Sequence, residues 1–260
     1  MKTALLISTY NWPEALNLVL KSVKIQSIPP DEILIADDGS TEETTQVVQK
    51  YKNLGLPIKH VWQEDKGFRK TSILNKAIAK STSDYIIQTD GDCILHKDFV
   101  KDHINNSKKS TFQFGSRVNI QENHLQEVFQ VEKISYNFFA RGIKKRTRNL
   151  RIPFLTNFYK QKNELSKKVR GCNLSFWRND FIDINGYNED MTGWGQEDSE
   201  MVVRLLNKGV DGRRLRYAGI VYHIWHKENS KEKSGVNRII QQKAMDGEMV
   251  SCKNGIEKYL

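Results

Sequence analysis

The chain has 260 residues, 38% hydrophobic and 28% charged, with 11 Phe, 9 Tyr and 5 Trp, which excludes collagen-like, disordered and coiled-coil architectures and leaves material for a sizeable core. Its formal net charge is +10, yet residues 141–170 hold eleven Lys/Arg against the single acid Glu164, so one stretch carries the whole excess and the remainder is balanced. Cys93, Cys172 and Cys252 are spaced neither as a zinc site nor as a disulfide framework, which points to a reducing compartment.

The apolar run Ala4-Leu5-Leu6-Ile7 is followed at once by Ser8-Thr9. It is too short for a secretory signal or a membrane span, and residues 3–8 are predicted to form a buried strand. Over 13–25, Ala15, Leu16, Val19, Leu20 and Val23 mark one face of a helix with Pro13 in its first turn. The near-continuous apolar run 32–36 predicts a strand covered on both faces, and Ser40 with Glu43 gives a capping-box spacing at the start of the next helix. Strands are expected at 58–62, 84–88 and 111–120, and helices at 71–80 and 97–106. Further on, the pattern predicts a helix over 122–140, an aperiodic basic loop or interfacial segment over 141–170, and extended backbone at 171–177. A helix at 197–207, a strand at 215–224 and a terminal helix at 235–250 complete the reading. Alternating strand and helix predict an α/β domain with a mostly parallel sheet, and no internal linker divides it.

Three predicted strands end in polar clusters: Ser8-Thr9-Tyr10-Asn11, Asp37-Asp38-Gly39-Ser40 and Asp90-Gly91-Asp92. Ligands of open parallel sheets bind outside the carboxyl ends of the strands, so these clusters should share one crevice. Neither a G-x-G-x-x-G nor a P-loop sequence is present, which removes the two commonest phosphate cradles. Two carboxylates flanking a glycine can instead face a hard divalent cation that neutralises a diphosphate, although an isolated D-G-D also serves as a turn. Asp37-Asp38-Gly39-Ser40 likewise suits an Asx turn with a helix cap, but two adjacent carboxylates exceed what a cap requires.

In this order the S-T-Y-N, D-D-G-S and T-D-G-D segments resemble the GT-A glycosyltransferases of family 2. The segment from Gly186 to Asp198, ending in Gly193-Trp194-Gly195-Gln196-Glu197-Asp198, is similar to the motif shared by galactosyltransferases and chondroitin-polymerase-type enzymes. The resemblance spans about residues 3–226. It implies a GT-A fold, with 1–120 as the nucleotide-sugar half and 121–260 as the acceptor and catalytic half. It also implies metal-dependent, inverting transfer from a UDP-sugar to a glycan or lipid-linked saccharide. By the same resemblance Ser8, Tyr10 and Asp38 hold uridine, Asp90 faces ribose or metal, and Asp92 binds Mn2+ or Mg2+. Asp198 is the base, Glu197 binds an acceptor hydroxyl and Trp194 forms a platform for a sugar ring. Gly67-Phe68-Arg69-Lys70 departs from the family wording, so Arg69 and Lys70 stand as nucleotide contacts or as a solvated helix start. Of the histidines in His223-Ile224-Trp225-His226, His223 matches the family's metal ligand better and His226 stands as the alternative ligand; either also suits a core or surface position, His226 the more readily.

The basic stretch, with Ile152, Phe154, Leu155, Phe158 and Tyr159 interleaved, suits an anionic membrane leaflet, then a polyanionic glycan, then RNA. A nucleic-acid-binding protein and a metal-dependent nucleotidyltransferase are the rival readings. The first leaves the acidic motifs unexplained, and the second gives Trp194 no role. A cytoplasmic location, possibly at the membrane face, fits the missing signal and free cysteines.

Overall fold

The computed structural model describes residues 1–227 and 234–260. Its first half follows the sequence pattern: β1 (Thr3–Thr9), α1 (Pro13–Lys24), β2 (Glu32–Asp37), α2 (Glu42–Asn53), β3 (Ile58–Trp62), α3 (Lys70–Ala79) and β4 (Tyr85–Asp90). There follow β5 (Cys93–Leu95), α4 (Phe99–Asn106), β6 (Thr111–Phe114), β7 (Arg117–Ile120), α5 (Leu125–Gln130), β8 (Ile143–Lys144), β9 (Leu174–Trp177) and α6 (Arg178–Asp183). The chain closes with α7 (Glu197–Asn207), β10 (Asp211–Arg214), β11 (Val221–His223) and α8 (Ser234–Asp246).

Seven strands form the main sheet in the order β10-β6-β9-β4-β1-β2-β3, parallel except for β9, which runs antiparallel to both β4 and β6. Every residue of β1 and β2 is buried, because alternate side chains enter two different cores. Ala4, Leu6, Leu34, Ala36 and Ile86 pack beneath α3 and α7, whereas Leu5, Ile7, Ile33, Ile35 and Ile87 pack against α1, α2 and α4. A buried Ile or Leu contributes about 1.5–3 kcal/mol, so these runs fix the register firmly. A second sheet, β5-β11-β7-β8, encloses a third core with Ala15 and Leu18 from the far side of α1.

The expected elements are corrected in four places. The strand at 111–120 is two strands in two sheets: at Gly115 the chain meets Asn173, whose side chain would lie 2.3 Å from an added Cβ, and it leaves the main sheet there. The helix at 122–140 is only a short 3-10 turn and α5, which stops where Glu132 takes a φ of +46°. The strand at 215–224 shrinks to β11 because Tyr217 and Gly219 turn left-handed, at φ +68° and +56°; β10 before it had no clear apolar signal. Finally, Ser40 does not cap α2: Thr41 precedes the helix and bonds the Glu43 carboxylate at 2.5 Å, while Ser40 Oγ accepts the Asn11 amide at 2.9 Å. The basic stretch is mostly irregular, with β8 and two 3-10 turns, Arg146–Asn149 and Pro153–Phe158. No helix among the described residues is long and apolar enough to cross a membrane.

Candidate active site

Parallel registry sets Ser8 beside Asp90 and Thr9 beside Asp37, so three polar strand ends meet. The adjacent aspartates after β2 then part company. Asp37 is fully buried, accepts the Ser40 amide at 2.8 Å and lies 2.9 Å from His60 Nε2, so it shapes the turn. Asp38 accepts Gln63 Nε2 at 2.6 Å and the Arg69 amide at 2.8 Å. Burial nevertheless holds the Asp38 carboxyl above its ordinary range. Gly39 has a φ of +99°, and a Cβ there would lie 2.6 Å from the Asp65 backbone, which is why glycine stands between Asp38 and Ser40. Tyr10, 53% exposed, donates to Asp65 Oδ2 at 2.9 Å. Arg69 contributes its amide to Asp38, and its guanidinium bonds the Glu64 carbonyl.

At the end of β4 the Gly91 amide donates to Ser8 O at 2.7 Å. A side chain at Gly91 would crowd Thr9 Oγ1 and Ser8 O at 3.0 and 3.1 Å, so the tight D-G-D turn requires glycine. Asp90 Oδ1 accepts both Ser8 Oγ and Lys70 Nζ at 2.7 Å. Two residues on, β5 pairs antiparallel with β11 and sets His223 opposite Cys93. His223 Nε2 then lies 3.6 Å and His226 Nε2 3.2 Å from Asp92 Oδ2. The ligand atoms of Asp92, His223 and His226 all lie within 4.8 Å of one another. His226, which the sequence suits more readily to a core or surface position, is thus as much a member of the cluster as His223. Although burial opposes it, the hydrogen bond from His226 and the charge of His223 bring the Asp92 carboxyl down to about 2. One carboxylate with two imidazoles is a donor set suited to manganese, iron or zinc rather than to magnesium, which prefers oxygen alone.

Opposite this cluster, the three acids at the start of α7 have separate fates. Glu200 is 1% exposed and grips the fully buried Arg204 in a bidentate pair at 2.8 and 2.7 Å, so it is part of the scaffold. Asp198 accepts the Gly171 amide at 2.6 Å and the Ser199 amide at 2.7 Å, while Glu197 accepts the Gly195 amide at 3.2 Å. Burial and the neighbouring Asp198 push Glu197 up to about 7, and burial also raises Asp198. Lys70, already paired with Asp90, is the cation that both Glu197 and Asp198 feel. The segment 186–198 is positioned from α3: Asn75 donates to Tyr187 O at 2.8 Å and accepts the Tyr187 amide at 2.9 Å. Trp194 is 40% exposed between the left-handed Gly193 and Gly195.

The fold therefore gathers Ser8, Asp38, Asp90, Asp92, His223, Glu197 and Asp198, with Tyr10 and Trp194 as exposed rings. The sequence reading missed His60, Gln63 and Asp65, polar residues of β3 and the loop after it that carry no local signal. It also missed Arg117, whose alternation with Asn119 between buried Val118 and Ile120 was the available clue.

Known proteins resemble this chain in sequence and fold. The profile of glycosyl transferase family 2 matches residues 4–169, and that of the N-terminal domain of galactosyltransferase matches 153–227. Validoxylamine A glucosyltransferase of Streptomyces hygroscopicus subsp. limoneus is 28% identical over 225 residues, covering 80% of this chain and 48% of that protein. Chondroitin synthase of Escherichia coli is 24% identical over 245 residues, covering 85% of this chain and 34% of that protein. The chain thus spans about half or less of the length of these relatives. The crystal structure of Staphylococcus aureus TarS 1–349 in complex with UDP superposes with a TM-score of 0.66 at 16% identity, covering all of this chain and 68% of that one. The architecture is the GT-A fold, and with the family profile covering more than half of the sequence, the chain belongs to glycosyl transferase family 2.

Proposed function

We propose that this chain transfers a sugar from a UDP-sugar to a saccharide hydroxyl with inversion, using a divalent cation. The observation that carries the reading is the position of Lys70, which pairs with Asp90 and faces the Glu197–Asp198 pair. It ties the strand-end carboxylates to a candidate base in one crevice. Asp38 is a raised, buried acceptor suited to an imide N–H, and the exposed Tyr10 ring can cover a base. Asp92, His223 and His226 would hold the cation, which supplies positive charge against the leaving diphosphate. Asp198 takes the proton of the acceptor hydroxyl as its oxygen attacks the anomeric carbon. The bond from that carbon to the diphosphate oxygen breaks on the opposite face, and the electron pair leaves with UDP. The Gly171 amide and then Lys70 favour the ionised form of Asp198 against burial, and Trp194 offers an apolar face for the acceptor ring. TarS, whose complex contains UDP, is a neighbour in fold and lends the nucleotide assignment support. Three buried free cysteines favour action in the cytoplasm.

A thermal-shift series with UDP, GDP, CDP, TDP and ATP, each with and without manganese, tests this. Stabilisation by UDP that requires the metal is expected, and Asp92→Ala should abolish the requirement. Indifference of UDP affinity to manganese would remove the metal from the site.

A further inference from the structure

Beyond the crevice, six cations come together from distant parts of the chain. Arg148 Nη1 donates to Arg117 O at 3.2 Å, and Arg214 Nη2 to Ser116 Oγ at 3.3 Å. The same 116–117 turn is tied to the base: Gly115 donates to Asn173 O at 2.9 Å and Asn173 to Ser116 O at 3.2 Å. Gly171, two residues before Asn173, holds Asp198 at 2.6 Å. Arg117 shares a face of β7 with Asn119, which is in register with His223. Arg170 faces Asp198, and Lys145 faces Arg148, Arg117 and Arg170. Arg216 lies 4.6 Å over the Tyr217 ring, and Arg214 lies 5.8 Å over that of Tyr159; the two tyrosine rings are 6.3 Å apart.

Among the described residues, none of these six has a carboxylate partner within salt-bridge distance. Among the described residues the arginine–carboxylate pairs are Arg151 with Asp98 and Asp102, and Arg204 with Glu200. Burial, then the charge of Arg216, Arg117 and Arg170, lowers the Arg148 pKa, and the Nε atom of Arg214 is buried with no partner. Like charges crowded together oppose folding, and an anion seated among them would relieve that repulsion.

We propose that this arginine cluster seats an anionic group, carboxylate or phosphate, of the acceptor saccharide, with Tyr159 and Tyr217 flanking its sugar ring. The inference rests on the transferase reading of the neighbouring crevice. Rings beside guanidinium groups favour an anionic glycan over a bare phosphate or a lipid headgroup.

The test uses the full chain loaded with UDP and manganese, so that the donor diphosphate cannot occupy the cluster. Tetragalacturonate and an oligomer of glycerol phosphate are titrated against maltotetraose as the neutral control. At least one anionic probe should bind more tightly than maltotetraose, with steep salt dependence, and lose about tenfold or more affinity in Arg148→Gln/Arg216→Gln. UDP affinity should be unchanged in that variant, and its melting temperature equal or higher, since repulsion is relieved. Arg216→Gln alone, a change at a half-exposed side chain, repeats the test should the double variant unfold. Equal binding of anionic and neutral probes overturns the proposal. So does a parallel loss of UDP affinity, which would assign the cluster to the donor, or tighter binding of a single-stranded oligonucleotide or of anionic vesicles than of either probe. If UDP fails to bind the wild type while an anionic probe binds through the arginines, the cluster stands and the transferase reading falls.

Discussion

The proposed donor side and the proposed acceptor side of the crevice are built on opposite plans. On the donor side, short motifs at adjacent ends of parallel strands supply acids that each find a donor: Asp38 on Gln63 and the Arg69 amide, Asp90 on Ser8 and Lys70, Asp92 beside two histidines. On the proposed acceptor side, the Glu197 and Asp198 carboxyls of α7 are raised by burial, with Arg170 of the basic stretch acting on Asp198. The first region satisfies its charges within itself, as a site for a ligand of fixed chemistry can. The second leaves charge unmatched, and that is where a partner's identity has room to vary.

The contrast can be broken most sharply at two acids of α7 that are two residues apart. Asp198→Asn removes the proposed base while preserving size, and turnover should fall about 10²–10⁴-fold with UDP affinity retained; normal turnover in a transfer assay would refute the assignment. Glu200→Ala should do the reverse in kind, leaving the buried Arg204 unpaired at a cost of about 3–5 kcal/mol in denaturant unfolding. Retained stability there would show that the pair is not a scaffold element.

The neighbouring aspartates of the donor side permit the same comparison at smaller scale. Asp38→Asn should weaken UDP about tenfold, the loss of one charge-assisted contact, with little change in stability. Asp37→Asn should instead cost about 1–3 kcal/mol of stability, because it removes a charge that His60 and the Ser40 amide hold in a fully buried turn, and should spare UDP. Calorimetric titration with parallel melting curves separates the two, and identical phenotypes would erase the distinction.

The smallest effect is on pH. Glu197 rises from 4.5 in its ordinary state to about 7 in the fold, so between those values the folded protein keeps a proton that the unfolded chain has released. Stability should therefore fall as pH rises through that window and level off above it. In Glu197→Gln that slope should flatten, as followed by denaturant unfolding across the window. An unchanged slope would mean that Glu197 does not keep its proton through that window.

What the sequence by itself determined is what depends on neighbours along the chain. A short two-face apolar run such as 32–36, bounded by turn residues, reads as a central parallel strand, and Asp37-Asp38-Gly39-Ser40 and Asp90-Gly91-Asp92 mark carboxyl ends of such strands, because period and turn chemistry are local. Local pattern did not separate the acids within each motif, and only the family resemblance singled out Asp38 and Asp198. Asp37 and Asp38, or Asp198 and Glu200, differ only in what the tertiary structure sets against them: His60 and Arg204 remove one of each pair from the site. The pairing of His226 with Asp92 needed β11 to cross beside β5. The excess charge of 141–170 suggested a basic segment, yet half of the cationic cluster, Arg117, Arg214 and Arg216, comes from outside it. Such a cluster has no period and no spacing, since contacts between side chains far apart in sequence exist only once the two sheets are folded against each other.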